Sequence, residues 1–271
     1  MQTQAQKIAA FRSLHERGCF QVPNPWDLGS ARYLEALGFK ALASTSAGFA
    51  WSMGRLDYGL KVDEVVAHLA LLTAAVDLPV NADFEGGFAV EPEGVAANVT
   101  RAVVEGGVAG LSIEDRAEPG ASPPLLDFDL SVARIKAARA AIDAIGTGVL
   151  LTARCEGLLV GMTDLSEIVE RLKAYAEAGA DCLFAPGLKR DEQVREVCAA
   201  LAPKPINVIA QRGWTADHMA SLGVRRISVG GTLAFAAYGG AMQVAKAWLD
   251  GGTIDGAAEL APPMPFPKVF G

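Results

Sequence analysis

Cysteine and histidine are scarce, four and three in 271 residues, and they do not cluster. Cys19, Cys155, Cys182 and Cys198 form no CxxC pair or Cys/His group, and a chain of this length needs no disulfide framework. Their expected role is small reduced filler in the core. His15, His68 and His218 fall in stretches of helical spacing that face away from the strand ends, so none is expected to act as a base. No apolar run approaches the roughly 20 residues of a membrane span. The opening "MQTQAQKIAAFRSLHERG" is polar and amphipathic, unlike a signal peptide. A soluble, cytoplasmic protein without a membrane partner is expected. With 24 basic and 31 acidic residues, net −7, and no Lys/Arg run dense enough to track a phosphate backbone, nucleic acid is excluded as a partner.

What the chain has is apolar material, 51% of its residues. Eight short β-rich runs recur: "CFQV" at 19, "KALAST" at 40, "PVNADF" at 79, "AGLSIED" at 109, "GVLLTAR" at 148, "DCLFAP" at 181, "PINVIA" at 205 and "RRISVG" at 225. Between most of them lie segments of helical spacing, such as "LGSARYLEALG" and "LSEIVERLKAYAEAG", several ending in glycine. The runs are near-continuously apolar, as parallel strands covered on both faces should be. Eight strand-helix units predict an α/β fold, a (β/α)8 TIM barrel. A doubly wound sheet is the alternative, because periodicity does not show whether a sheet closes. No linker or compositional break divides the chain. Residues 1–271 therefore read as one domain, a barrel over about 8–240 and a helical C-terminal extension over about 241–271.

In such a barrel the active site lies at the C-terminal ends of the strands. That edge carries Asn24, Trp26 and Asp27, Ser44 to Ser46, Asn81, Asp83 and Glu85, Glu114 and Asp115, Arg154 and Glu156, Asn207 and Gln211, and Ser228. Each residue alone has a structural explanation: a cap, a turn or a surface ion pair. Together, an acid cluster without His or Cys selects a hard divalent cation. An arginine opposite it would grip a carboxylate or phosphonate. The implied substrate is a small anion that chelates the metal, and the implied chemistry is stabilisation of an enolate.

"NPWDLGSARYLEALGFKALASTSAGFAWSMGRLD", "PVNADFEGGF", "GVAGLSIEDR", "LLTARCE" and "AYAEAGADCLFAPGL", in this order, resemble the isocitrate lyase/phosphoenolpyruvate mutase superfamily over roughly residues 8–240. The resemblance implies a barrel enzyme dependent on Mg2+, with Mn2+ as the alternative, that makes or breaks C–C or P–C bonds. It also implies a homo-oligomer, dimer or tetramer, with a C-terminal helix swapped between subunits. Position by position, Thr45, Ser46 and Ala47 match the loop that holds the substrate carboxylate. Asp57, Asp83 and Glu114 match acids that hold Mg2+ mainly through its waters, Arg154 the substrate-binding arginine, and Asn207 a polar position of some lyases. Arg154, Glu114 and Asp57 are thus the expected catalytic residues.

Two departures qualify the carry-over. The family's metal strand reads Asp-x-Asp-x-Gly, whereas here Asn81 replaces the first Asp and Glu85 the Gly. The expected metal set is accordingly Asp83, Glu85, Glu114 and Asn81, with Glu85 restoring the lost charge. Residues 116–129, "RAEPGASPPLLDFD", also lack the lyases' Lys-Lys/Arg-Cys-Gly-His stretch and the Lys-Thr-Asn of the phosphonate enzymes. Ordinary isocitrate lyase chemistry is therefore not expected. What remains needs only a metal and a carboxylate grip: decarboxylation of an oxaloacetate-like 2-keto acid, or its hydrolysis, with lysis of a 2-hydroxy acid behind. The expected partner is a small di- or tricarboxylate or 2-keto acid. Phosphonopyruvate-type P–C chemistry and a non-catalytic carboxylate binder are the alternatives. A Schiff-base aldolase is discounted, because Lys189 and Lys204 lie in a loop and before a strand.

Overall fold

A computed structural model of the chain describes residues 2–257 and 266–270. Every expected run contains a strand: β1 (Phe20–Val22), β2 (Leu42–Ala43), β3 (Val80–Asp83), β4 (Gly110–Glu114), β5 (Leu150–Arg154), β6 (Cys182–Phe184), β7 (Ile206–Ile209) and β8 (Arg226–Ser228). All ladders are parallel, in the order β1-β8-β7-β6-β5-β4-β3-β2. The seam between β1 and β2 is bridged just beyond β1. There the Ala43 N–H donates to the Pro23 carbonyl at 3.1 Å and Asn24 Nδ2 to the Ser44 carbonyl at 3.0 Å. The sheet is thus nearly closed into a barrel, and the open doubly wound alternative is set aside.

The helices are α1 (Gln4–Leu14), α2 (Leu28–Ala36), α3 (Ser46–Ser52), α4 (Val62–Ala75), α5 (Pro92–Val104), α6 (Phe128–Ile145), α7 (Leu165–Glu177), α8 (Asp191–Leu201), α9 (Ala216–Ser221), α10 (Thr232–Leu249) and α11 (Phe266–Phe270). Several start where the sequence supplies a cap. Thr3 and Asp27 form reciprocal capping boxes with Gln6 and Ser30, and the Thr45 and Thr215 side chains accept from the third backbone N–H. Among the described residues, no helix is long and apolar enough to cross a membrane.

Several strands are apolar on one face only. Leu111, Ile113, Leu151, Ala153, Leu183, Val208 and Ile227 pack outward with the helices in the main hydrophobic cluster. The alternate residues, Asn81, Ser112, Thr152, Asn207 and Arg226, are buried and polar, and they fill the barrel's middle where branched aliphatics are usual. The barrel floor is closed by α1. Phe11 is fully buried against Gly110, where a Cβ would lie 2.7 Å from its ring, so only glycine admits it. The edges of His15 and Phe20 pack on the same ring, and burial pushes the His15 imidazole down to about 3, leaving it neutral.

The expected helical extension over about 241–271 takes in the second half of α10. α10 starts at Thr232, directly after β8, and residues 258–265 and 271 lie outside the described residues. α10 buries only Ala234 and leaves Phe235, Met242, Trp248 and Leu249 exposed.

Asn24 is buried and ties three strands at once: besides its bond to Ser44, its Oδ1 accepts from the Val229 and Gly230 N–H groups at 2.9 Å each. Asn24→Ala leaves two half-buried donors and one carbonyl unpaired, and should lower unfolding stability by about 1–3 kcal/mol in a urea titration. A loss below about 0.5 kcal/mol would show that barrel closure does not depend on it.

Candidate active site

A cavity of about 150 Å3 opens along the barrel axis at the C-terminal ends of the strands. Asp57, Asp83 and Arg154 line its mouth region, Thr45, Ser46 and Ala47 one side, and Asn81, Asn207 and Arg226 also line it. The structure thus gathers eight of the expected site residues on one surface: the three of the α3 loop, Asp57, Asn81, Asp83, Arg154 and Asn207. It separates two others. Glu114 does not line this cavity; its Oε1 accepts from the Tyr58 hydroxyl at 2.6 Å and its Oε2 lies 3.2 Å from Arg154. Glu85 opens on a neighbouring cavity of about 560 Å3 between the 58–62, 85–90 and 116–126 segments. Tyr58 lines both cavities.

Arg154 is the hub of the mouth. Its Nη1 meets Asp83 Oδ1 at 2.8 Å, its Nη2 Glu114 Oε2 at 3.2 Å, and its Nε and Nη2 both reach Glu156 Oε1, at 3.0 and 2.9 Å. Three carboxylates therefore occupy the guanidinium that was expected to face substrate. Ser46 is similarly engaged: its N–H and Oγ both donate to Asp83 Oδ2 at 3.1 Å. Thr45 Oγ1 accepts from the Gly48 N–H. The Ala47 N–H lies in the first turn of α3, where backbone donors have no partner within the helix.

Acids outnumber Arg154 here, and their proton affinities show it. Burial and then the Asp83 charge raise Asp57 above the ordinary carboxylate range. Burial, followed by Asp83, Glu114 and Asp57, pushes Glu85 up to about 8. Burial also raises Glu114, against the pull of Arg154. Glu85 Oε1 is buried without a hydrogen-bond partner. An orphaned carboxylate oxygen beside surplus negative charge fits a hard cation. Among the described residues, however, no three acids, His or Cys are grouped to chelate one. Asn81 faces the other way: its Oδ1 lies 3.5 Å from Arg226 Nη1, and its Nδ2 donates to the Ala82 carbonyl.

The only non-glycine residues with left-handed backbone among those described are Tyr58 (φ 63°), Glu85 (φ 47°) and Phe88 (φ 56°), and all three line the larger cavity. Such conformations persist where surrounding contacts hold them. Here Arg134 of α6, buried, donates to the carbonyls of Glu114, Gly86 and Ala89 and pins the 85–89 turn. Tyr58, Arg134 and Arg226 are not among the residues expected from the sequence. The Asp57-Tyr58 dipeptide was a visible signal for the first, but a helical arginine and one in "RRIS" carried none. Asp115 proves structural: it accepts from the Glu156 N–H, the Tyr175 hydroxyl and Arg171. No histidine or cysteine lines either cavity.

The sequence profile of the family described as phosphoenolpyruvate phosphomutase matches residues 11–249. A crystal structure from Burkholderia cenocepacia J2315, provisionally described as a lyase/mutase, is 44% identical, with a TM-score of 0.91 over 96% of this chain and 94% of that one. The oxaloacetate decarboxylase of Pseudomonas entomophila (strain L48) is 31% identical over 84% of this chain and 80% of its own length. Oxaloacetate acetylhydrolase in complex with its product oxalate is 27% identical, with a TM-score of 0.83 over 98% of this chain and 92% of that one.

Glu85 makes a pH signature. Unfolded, it releases its proton near 4.5; folded, near 8, so between those values the folded state holds more protons and stability falls as pH rises. In chelator-treated protein, Glu85→Gln should be more stable than wild type at pH 8, by an amount of the order of 4 kcal/mol, with the gap closing by pH 4.5. Thermal melts at both pH values check this; parallel profiles would show that Glu85 is not held in its acid form. Glu85→Gln should also weaken Mg2+ binding.

Proposed function

Because the chain belongs to the phosphoenolpyruvate mutase/isocitrate lyase superfamily, we propose that it is a Mg2+-dependent enzyme acting on a small 2-keto or 2-hydroxy acid through an enolate. Decarboxylation of an oxaloacetate-like acid is the favoured reaction. The observation that carries this reading is the axial cavity itself. At about 150 Å3 it suits a compact acid, and it offers carboxylates, hydroxyls, amides and guanidinium but no lysine, cysteine or histidine. Schiff-base chemistry and a thiol acid/base both lack their groups there. Loss of CO2 from a 2-keto diacid requires neither, only stabilisation of the negative charge left on the 2-oxo oxygen.

In this reading the Ala47 N–H and the Thr45 and Ser46 hydroxyls grip the substrate carboxylate, and Asn207 orients the acid from across the cavity. Arg154 turns toward the developing enolate oxygen from its place among Asp83, Glu114 and Glu156. Asp83 and Asp57 would hold Mg2+ through its waters, with Glu85 and Glu114 adding charge as the cation displaces their protons; Mn2+ suits the same oxygen donors, and Asn81 is the less favoured member of the set. When bound, the cation supplies further positive charge to the enolate. The Tyr58 hydroxyl keeps its proton, since burial and then Glu114 raise it, and it lines the cavity where a carbanion would be protonated. The 2.6 Å Tyr58–Glu114 bond also gives hydrolysis a specific support, as a relay from an attacking water to a carboxylate whose proton affinity is raised.

Oxalate, an enolpyruvate mimic, tests the site by calorimetric titration with and without Mg2+. Binding should need both the metal and Asp83, so that Asp83→Ala loses at least tenfold in affinity, and oxaloacetate should then be turned over. Metal-independent binding, or none, would overturn the enolate reading in favour of a non-catalytic carboxylate binder.

We also propose that α10 docks on a second subunit, as a swapped element of a homodimer or homotetramer. Its exposed Phe235, Met242, Trp248 and Leu249 offer apolar surface that the described residues leave uncovered. Sedimentation should give a dimer or tetramer, and the double substitution Met242→Glu with Trp248→Glu should shift it toward monomer. A monomeric wild type would refute the swap.

A further inference from the structure

Arg226 opens β8, is 4% exposed, and lines the axial cavity beneath the mouth. Its Nε donates to Asn207 Oδ1 at 2.9 Å, its Nη2 to Thr152 Oγ1 at 3.1 Å, and its Nη1 lies at the long distance of 3.5 Å from Asn81 Oδ1. All three acceptors are neutral. A guanidinium has five N–H donors, so one on each terminal nitrogen has no acceptor among the described residues. The other buried arginines of the region differ. Arg154 touches three carboxylates, and Arg134 has Asp115 and Glu114 close enough to favour its charge. Arg226 has no carboxylate in that part, only the Cys182 sulfur and, 6.0 Å away, the face of the Phe11 ring.

A guanidinium keeps its proton inside proteins, so burial here leaves a cation without a counterion, an arrangement that is costly unless something anionic arrives. The cavity is the route by which it can. Resting on the reading of this site as one for small carboxylic acids, we propose that Arg226 is a specificity-determining residue that takes a second carboxylate of the ligand at the barrel floor. The first carboxylate stays at the α3 loop, and the cavity thereby selects diacids over monoacids. Asn81 is part of the device. An aspartate at that position, at the same distance, would supply the missing counterion from the protein and cancel the selection, whereas the amide leaves the charge free for the ligand.

Calorimetric titration of succinate and malonate against pyruvate, with Mg2+ present, tests this in wild type, Arg226→Gln, Arg226→Lys and Asn81→Asp. Wild type should bind at least one diacid tenfold or more tighter than pyruvate. Arg226→Gln should remove that preference while leaving pyruvate affinity within about twofold, Arg226→Lys should keep part of it, and Asn81→Asp should bring the ratio of diacid to pyruvate affinity at saturating Mg2+ down to about one. Ligand-free Asn81→Asp should melt at a higher temperature than wild type, because its buried cation gains a partner; a purely structural Arg226–Asn81 contact predicts no coupling of melting temperature to diacid preference. Equal binding of mono- and diacids by wild type, or an intact preference in Asn81→Asp, overturns the inference and leaves the enolate site standing. Absence of binding by any of the acids, oxalate included, overturns both. If Arg226→Gln does not fold, the near-isosteric Asn81→Asp decides alone.

Discussion

The guanidinium of Arg154 is what lets acids from three successive strands share one buried rim. Glu114 and Arg154 are register partners on adjacent parallel strands, and Asp83 stands one strand further on. Without a cation between them, buried carboxylates this close could not all ionise. The same contacts decide how the mouth works. A guanidinium held by Asp83, Glu114 and Glu156 is not an open fork waiting for substrate, and Ser46, bonded to Asp83, is not a free hydroxyl. A cation or ligand entering the site must redistribute these bonds, which couples binding to the charge state of the whole rim.

Along the barrel axis the charge changes sign. The mouth carries more carboxylate than guanidinium, while the floor carries Arg226 among amides and hydroxyls. Such polarity suits a small ligand that brings its own negative charge deep into the barrel while its oxygens meet a cation above. The polar interior has a price in packing, offset by the outward strand faces, whose aliphatic residues meet the helices, and by Phe11 sealing the base.

Unusual backbone conformation gathers at a second cavity beside the first. Tyr58, Glu85 and Phe88 are left-handed and line one cavity, while Arg134 holds the 85–89 turn from below with bonds to three carbonyls. Glu85 stands where the family pattern has a glycine. The turn has a φ of 47° at Glu85, in the region that glycine favours, and carries there a side-chain oxygen that is buried and unpaired.

The sequence by itself determined the eight strands, their parallel direction and the concentration of Asp83, Arg154, Asn207 and the Thr45–Ala47 loop at one edge. These follow from local signals: apolar runs of strand length, intervening helical spacing, glycine and capping residues, and polar residues at strand ends. Closure of the sheet decided the rest. Which face of "RRIS" or "LTAR" looks toward the axis depends on strand tilt and stagger around the whole barrel, so the polar inner layer was hidden behind runs that read as continuously apolar. Arg226 meets Asn81 across 145 positions and Tyr58 meets Glu114 across 56. Spacing along the chain carries no information about such pairs, because their distance is set by the curvature of a sheet that exists only once every strand is in place.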